Sequence, residues 1–497
     1  MKNSIESQNG NDLHVLPSAA AETIIDQTKS ARGVLERVAV SISTWSEKWY
    51  PDSFVFAALA VVVVSAGALL IGASKQSIAQ SFGDGFWTLI PFTMQIAISC
   101  IMGYVVASSP PADRLIHKVA LMPKTGRGAV AFVALISMVV SLFSWAMSLV
   151  FSGLLVRALA RRNNFAMDYR AASAAAYLGL GATWALGLSS AAAQLQSNPG
   201  SIPQQILAIT GIIPFTETIF LWQSMLMASV LIVTSIAIAY FSAPSDSRAK
   251  TAKMLGVGIE KYSDLLPPRE RPGEWLEYSP LITVAIVALG FGWLVNELGN
   301  KNPILAISNL NTYNLLFMML GLLLCWRPKC FLMAVSKSVP AIGGILIQFP
   351  LYGSIAAIMT SVKDPQGMSL AHHLASIFVS LASKDTYPVV MGIYSAVLGF
   401  FLPSGGGKWV VEAPYVMQAA NDLHVHLGWA VQTYNAAEAL PNLINPFWML
   451  PLLGIVGLKA RELIGFTFTQ FIFHVPLIMF MLWILAPTLP YHAPVLH

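Results

Sequence analysis

The residues best placed to do chemistry in this chain are the run Pro403, Ser404, Gly405, Gly406, Gly407 and Lys408. Glu412 follows four positions on, all within a segment otherwise apolar enough for a lipid bilayer. Each glycine disfavours a helix interior by about 1 kcal/mol and a proline by about 3 kcal/mol. The backbone is therefore expected to be unwound over 403–407 and helical again from Lys408. In hydrocarbon, unwound backbone must face protein or a watery cavity. A Ser-Gly-Gly-Gly turn ahead of a helix start offers bare N–H groups and the positive end of the helix dipole, which suits an anion. Lys408 could pair with a substrate carboxylate, because an idle charge at mid-bilayer costs about 2.5–3.5 kcal/mol. The alternative is an internal ion pair with Glu412 at i+4.

A second set of candidates lies at other interruptions. Glu217 and Glu438 stand near the breaks of two discontinuous apolar segments, where a carboxylate could carry a proton or Na⁺. A contact to freed backbone groups would serve them equally, and Glu217 could simply lie near the outer interface. Ser189 and Ser190, then Asn442 and Asn445, supply oxygens suited to Na⁺ or to substrate, or to capping helix breaks. Gly187 belongs to the same glycine-bearing break as Ser189. Ser144 with Trp145, then Trp184 and Trp409, could wall an apolar pocket beside those polar groups, although each tryptophan could equally be ordinary packing. His372 and His373 are adjacent and diverge by about 100° on a helix, a poor metal pair. Cys100, Cys325 and Cys330 show no metal-ligand spacing and read as packing residues. No metal and no cofactor is expected beyond a coupling H⁺ or Na⁺.

The elements that must position these residues follow from composition. The chain has 497 residues, 56% hydrophobic and 11% charged, with mean hydropathy +0.64. Soluble domains carry about 25% charged residues, so this is a polytopic, all-α membrane protein with the bilayer as its partner. The net charge of +5 is small for this length and sits in short clusters between apolar runs, which marks topology and not nucleic-acid binding. The polar first 30 residues lack the apolar core of a cleavable signal and read as a disordered cytoplasmic tail. An amphipathic stretch over 32–50, with Trp45, Trp49 and Tyr50, reads as an interfacial helix.

Spans are expected at 54–72 and 86–107, then a basic amphipathic arm with Arg114, Lys118 and Arg127. The apolar stretch 129–156 has basic flanks on both sides. One crossing would leave a basic cluster outside, and two would need about 40 residues. A re-entrant hairpin turning near Ser144 and Trp145 satisfies both facts, with one long tilted span as the alternative. A broken span follows over 171–214, then a span at 216–241 and a polar cytoplasmic linker at 244–279. A connecting span and external loop occupy 280–311. The second half repeats the pattern: spans at 313–326 and 331–359, an amphipathic piece at 372–383, a hairpin at 389–417, a broken span at 429–458 and a last span at 464–486.

This reading gives nine crossings and two hairpins, with the N-terminus cytoplasmic and the C-terminus external. Residues 51–243 and 312–497 become two inverted repeats, each with a hairpin and a helix broken by Gly or Pro, the arrangement of transporters that bind at the midplane. The two broken spans share IIPF, 212–215, and INPF, 444–447.

Four stretches carry a resemblance: PSGGGKWVVEAPYV from Pro403, SKDTYPV from Ser383, WYPDSFVFA from Trp49 and GDGFWTLIPFTMQ from Gly83. They resemble the AtoE-type short-chain fatty acid transporters, over about 49–480. The resemblance implies a carrier of short monocarboxylates in the bacterial inner membrane, within the ion transporter superfamily of inverted-repeat, elevator-type carriers that are commonly homodimers. The family pattern has a histidine after SGGG and a glutamine near the next proline, where this chain has Lys408 and Glu412. It also reads GxSGSxPL where this chain has LSSAAAQ, 188–194. A larger, more polar or differently charged anion is thus an alternative substrate.

A passive anion channel and a membrane-embedded enzyme are the competing classes. No P-loop, HExxH or GxSxG is present. The expectation is a secondary carrier, not an enzyme, with the carboxylate between the two hairpin tips, held by N–H groups over 404–407.

Overall fold

Where water is absent, the chain must close its own N–H···O=C bonds, and the described residues contain no extended strand, only isolated bridge residues such as the Lys363–Ser369 pair. The computed structural model describes residues 33–107, 109–197, 202–244, 246–259, 266–300 and 310–494. The expected tail, residues 198–201 of the first break, most of the external loop, and Glu260, Lys261 and Asp264 of the linker lie outside the described residues.

The first half runs α1 Val34–Trp49, α2 Ser53–Leu70, α3 Lys75–Thr88, α4 Ile90–Ala107 and α5 Pro110–Ala120. A hairpin follows, α6 Gly126–Ser141 and α7 Trp145–Ala160, then α8 Tyr169–Leu178, which loosens into a π-turn and a 3₁₀ turn before α9 Ala191–Ser197 and α10 Gln204–Thr210. α11 Trp222–Ser242 closes this half, and α12 Glu274–Tyr278 and α13 Pro280–Asn300 connect it to the next. The second half runs α14 Leu310–Cys325, α15 Pro328–Ser338, α16 Gly343–Ser361 and α17 Leu370–Leu381. A second hairpin, α18 Tyr387–Phe401 and α19 Gly405–Asp422, precedes α20 Leu427–Asn442, α21 Leu450–Val456 and α22 Ala460–Leu485. Two helices and an amphipathic arm, a hairpin, a broken helix and a long helix thus occur twice in the same order.

Among the described residues, six helices are long and apolar enough to cross a membrane, or up to eight if each of two bent helix pairs counts as one span. α14, with 16 residues, falls short of that length. One expected single span is broken: 331–359 divides into α15 and α16 with a 3₁₀ turn at Val339–Ile342 between them. Residues 86–107 carry only a one-residue turn at Leu89 between α3 and α4, which run on as one long apolar span, Lys75–Val106. Pro91 and Pro340 stand at these joints, and a proline has no N–H to continue the helical ladder.

The helices make two dense sets of contacts, joined by one continuous core. In one, α16 packs on α2, α3 and α4, and α14 on α4. Helices α3 and α16 touch through glycines: a Cβ at Gly85 would meet the Gly353 carbonyl oxygen at 2.8 Å, and one at Gly353 the Gly85 carbonyl at 2.5 Å. In the other group, α6 packs on α8 and α18 on α20, so each hairpin leans on its own broken helix. The hairpins also cross over, α7 onto α21 and α19 onto α9 and α10.

Helix α1 inverts the usual amphipathic rule. Glu36 is 1% exposed, 2.5 Å from Arg127 and 2.7 Å from Arg248, whereas Val34, Trp45 and Trp49 are exposed. Its polar side faces α22: Ser46 Oγ donates to the Arg461 carbonyl at 2.9 Å, and Gly465 admits the Ser43 backbone, which a Cβ there would approach to 2.2 Å.

Candidate functional site

Both hairpins turn on the same device. Leu142–Phe143 and Leu402–Pro403 end the incoming arms, and Ser144 and Ser404, both in extended backbone, cap the outgoing ones. Ser144 Oγ accepts from the Met147 N–H at 3.4 Å, and Ser404 Oγ from the Gly407 N–H at 3.2 Å. A serine cap satisfies one of the amides that a helix start leaves open and leaves others to a ligand.

The carbonyls that end the incoming arms are met by the broken helices. Ser189 Oγ donates to the Ser141 carbonyl at 2.7 Å, and Asn445 Nδ2 to the Phe400 carbonyl at 2.7 Å. Asn445 Oδ1 also accepts from Tyr352 Oη at 3.1 Å and from the Phe447 N–H at 2.9 Å. Gly187 packs on the Leu142 backbone, where a Cβ would come within 2.4 Å of the carbonyl oxygen. Tyr434 Oη donates to the Gly405 carbonyl at 2.6 Å.

The two tips meet. Ser144 and Trp145 from one, and Ser404, Gly405, Gly406 and Gly407 from the other, line a single cavity of about 320 Å³. Trp184, Ser189, Ala191 and Gln194 of the first broken helix form another wall, and Trp448 of the second packs edge-on against Trp145 at 5.2 Å between centroids. No lining residue carries a formal charge. What the cavity offers is two helix N-termini, α7 and α19, a few hydroxyls and an amide, and indole faces. That is a fit for a small anion with an apolar tail. Phe143 and Gly407 at its edge are exposed, so it is open on one side.

The remaining sequence candidates lie elsewhere. Lys408, one residue past the glycines, turns away from the cavity and is buried against Glu412 and Glu438, the internal pairing and not the substrate-facing one. Trp409 is fully buried and packs on Tyr434 at 4.6 Å. Ser190 donates to Asn435 Oδ1 at 2.9 Å, and Asn442 Nδ2 reaches the Leu180 carbonyl at 3.4 Å. Glu217 is exposed beside the start of α20, its carbonyl close against Gly428. Glu217, Glu438 and Asn445 therefore contact three different sets of partners. No group of three or more His, Cys, Asp or Glu able to hold a metal occurs among the described residues.

Sequence reasoning missed Tyr313, Phe143, Gln194 and Trp448. Tyr313 matters most, because it brings α14 to the cavity and its buried hydroxyl has no hydrogen-bond partner among the described residues. Its only signal is a polar-tipped aromatic within an apolar span.

A many-helix membrane protein that closes a small uncharged cavity between two interrupted hairpins has the build of a solute transporter. The chain belongs to the short chain fatty acid transporter family, matching it over residues 34–485; this is a family of transporters and not of enzymes. It is 33% identical over 443 residues to a protein of Escherichia coli (strain K12) that bears the provisional name short-chain fatty acid transporter, covering 88% of this chain and 97% of that one. A relative from Haemophilus influenzae (strain ATCC 51907 / DSM 11121 / KW20 / Rd) with the same provisional name is 28% identical over 458 residues, 91% of this chain and all of that one. Among solved structures, MtrF of Neisseria gonorrhoeae, from a class of antimetabolite efflux pumps, gives a TM-score of 0.40 at 14% identity over 90% of this chain and 97% of that chain. The YdaH transporter of Alcanivorax borkumensis gives 0.41 at 13% identity over 88% and 98%. Both structural likenesses are loose.

Proposed function

We propose that the protein is a secondary active carrier of short-chain fatty acids or related small monocarboxylates in the bacterial inner membrane, coupled to H⁺ or Na⁺. The substrate carboxylate rests between the N-termini of α7 and α19, and its acyl part meets Trp145 and Trp184. The observation that carries this is the convergence of both hairpin tips on one uncharged, aromatic-walled cavity. The two halves are inverted repeats, with the N-terminus cytoplasmic and the C-terminus external. The hairpins and broken helices slide as one elevator unit against the α2–α4 and α14–α16 scaffold of a homodimer. The repeated element order supports that motion.

Short fatty acids cross lipid in their neutral form, so net uptake is a poor assay. Counterflow separates the cases: unlabelled butyrate inside proteoliposomes accelerates entry of labelled butyrate only through a carrier. Gly406→Trp, which would fill the cavity, abolishes counterflow while the protein still inserts. Counterflow equal to that of protein-free vesicles, or a Gly406→Trp variant that works normally, would refute the site. A passive channel would conduct without counterflow.

A further inference from the structure

Lys408, Glu412 and Glu438 form a charged cluster that the cavity does not touch. Each is about 1% exposed. The ammonium lies 2.6 Å from Glu438 Oε2 and 3.3 Å from Glu412 Oε2. It donates to the Ser395 carbonyl at 2.8 Å and hydroxyl at 3.0 Å, and lies 4.3 Å from the Tyr434 ring centroid. Ser395 Oγ in turn donates to Glu412 Oε1 at 2.6 Å. Glu412 Oε2 and both Glu438 oxygens have no aligned hydrogen-bond donor among the described residues, so their contacts to the ammonium are Coulombic.

Fully ionised, two carboxylates and one ammonium leave one negative charge in excess. An uncompensated charge out of water costs several kcal/mol, and a buried group neutralises instead. Among the described residues, the neighbours supply no compensating cation. Tyr434 on α20 and Tyr387 on α18 donate their hydroxyls to the Gly405 and Val416 carbonyls, and a phenol supplies no positive charge. His372 of α17 bonds to Tyr415, and His474 of α22 to Ser235. A metal ion is disfavoured too, since it would share Glu438 with an ammonium already at 2.6 Å. Gly399 of α18 closes the site: a Cβ there would lie 3.1 Å from Glu438 Oε2 and 3.4 Å from Lys408 Nζ.

We propose that the two carboxylates of this cluster share one exchangeable proton and that this proton is the coupling ion. The second clause rests on the carrier reading above. The proton adds to a Glu412 or Glu438 oxygen from one side of the membrane and leaves from the same oxygen to the other, with no other reactant. The link to the cavity is short. The Lys408 N–H is donated to the Ser404 carbonyl at 2.8 Å, and Tyr434, one turn before Glu438, holds the Gly405 carbonyl. The charge state of the cluster thus acts on the tip that would hold the substrate.

Two measurements test it on the purified full-length carrier in detergent. Infrared spectra at neutral pH should show a carboxylic acid C=O band that disappears in Glu438→Gln, which leaves the balanced Lys408–Glu412 pair and so keeps the fold. Absence of the band from the unsubstituted protein, or its survival in the variant, overturns the proton site. Calorimetric titration with butyrate at a pH alkaline enough to have removed the infrared band from the free protein, in buffers of different ionisation heats, should show uptake of up to about one proton per butyrate. Glu438→Gln should still bind butyrate and show no proton uptake. Butyrate binding without linked protons in the unsubstituted protein overturns the coupling role. No butyrate binding at all refutes the carrier reading, and the infrared result then still decides the proton site.

Discussion

A methyl group on Gly405 should impair the carrier, while one on Gly406 should not. A Cβ at Gly405 would lie 2.3 Å from Cη2 of Trp184 and 3.2 Å from its Cζ3, against a relaxed carbon contact of about 3.5–4.0 Å. Either the tip or the indole must move by about 1 Å. Overpacking of this kind costs about 1–3 kcal/mol. If that strain falls on the substrate-bound geometry, butyrate affinity drops about 5- to 150-fold. The neighbouring glycine is the control, since a Cβ at Gly406 meets Ala191 Cβ at an ordinary 3.5 Å. Counterflow and calorimetric Kd, with size-exclusion profiles to show folding, should find Gly405→Ala weakened and Gly406→Ala close to the unsubstituted protein. Trp184→Phe removes the clashing far edge of the indole, so Gly405→Ala with Trp184→Phe should recover part of the loss. A normal Gly405→Ala, or a Gly406→Ala equally impaired, would refute the packing of the tip on Trp184.

Lys408→Met strands two buried carboxylates and should lower thermal stability by about 3–5 kcal/mol, with much of it regained in Lys408→Met/Glu438→Gln; a melt unchanged by Lys408→Met would deny the cluster any structural weight. Asn445→Ala strips donors and acceptors from the Phe400 carbonyl, Tyr352 and the Phe447 N–H at about 1–3 kcal/mol for each group left unpaired. Counterflow should therefore fall, and the melting midpoint of the solubilised protein should drop with it. Glu36→Gln removes the carboxylate between Arg127 and Arg248. Both arginines keep some access to water, so the loss should be about 1–3 kcal/mol, below the full price of a broken buried pair, and protease cleavage near α1 should quicken.

The two chain reversals were legible in residue types. Basic flanks around 129–156 and the Pro-Ser-Gly-Gly-Gly run fix two chain reversals because lipid tolerates neither stray charge nor unbonded backbone. Both turns are found at serines, Ser144 and Ser404, but the helix restarts at Gly405, so Gly405–Gly407 form its first turn and are not unwound as expected. The direction of Lys408 was not legible. Spacing shows that Glu412 lies one turn away, but what turns the ammonium inward is Glu438, thirty positions later in sequence, admitted by the missing side chain of Gly399. Such contacts depend on how α18, α19 and α20 pack, and local pattern carries no trace of it. The polar face of α1 was hidden for a similar reason: Glu36 looks like a solvated residue until Arg127 and Arg248 arrive from elsewhere in the chain. The joints at Leu89 and Val339–Ile342 could have been read from Pro91 and Pro340, had the apolar length of those stretches not outweighed them.

The placement of charge explains why an ammonium so near the glycine turn stays out of the cavity. A substrate held by a lysine would bring a strong salt bridge into a dry site, and release would then require breaking it at each turnover. Helix N-termini hold an anion more weakly, with about half an elementary charge each, and need no partner to be left unpaired when it departs. With the ammonium turned toward two carboxylates, the tip keeps a neutral lining, and the group that gains and loses charge sits one helical turn behind it. An anion arriving at the tip raises the local negative potential, which favours a proton on the cluster; a proton on the cluster removes a charge that repels the anion. By linkage the two effects are equal in free energy. On the proposed carrier reading, anion and proton would then load together as a neutral pair, and the hairpins would cross the low-dielectric interior without carrying net charge.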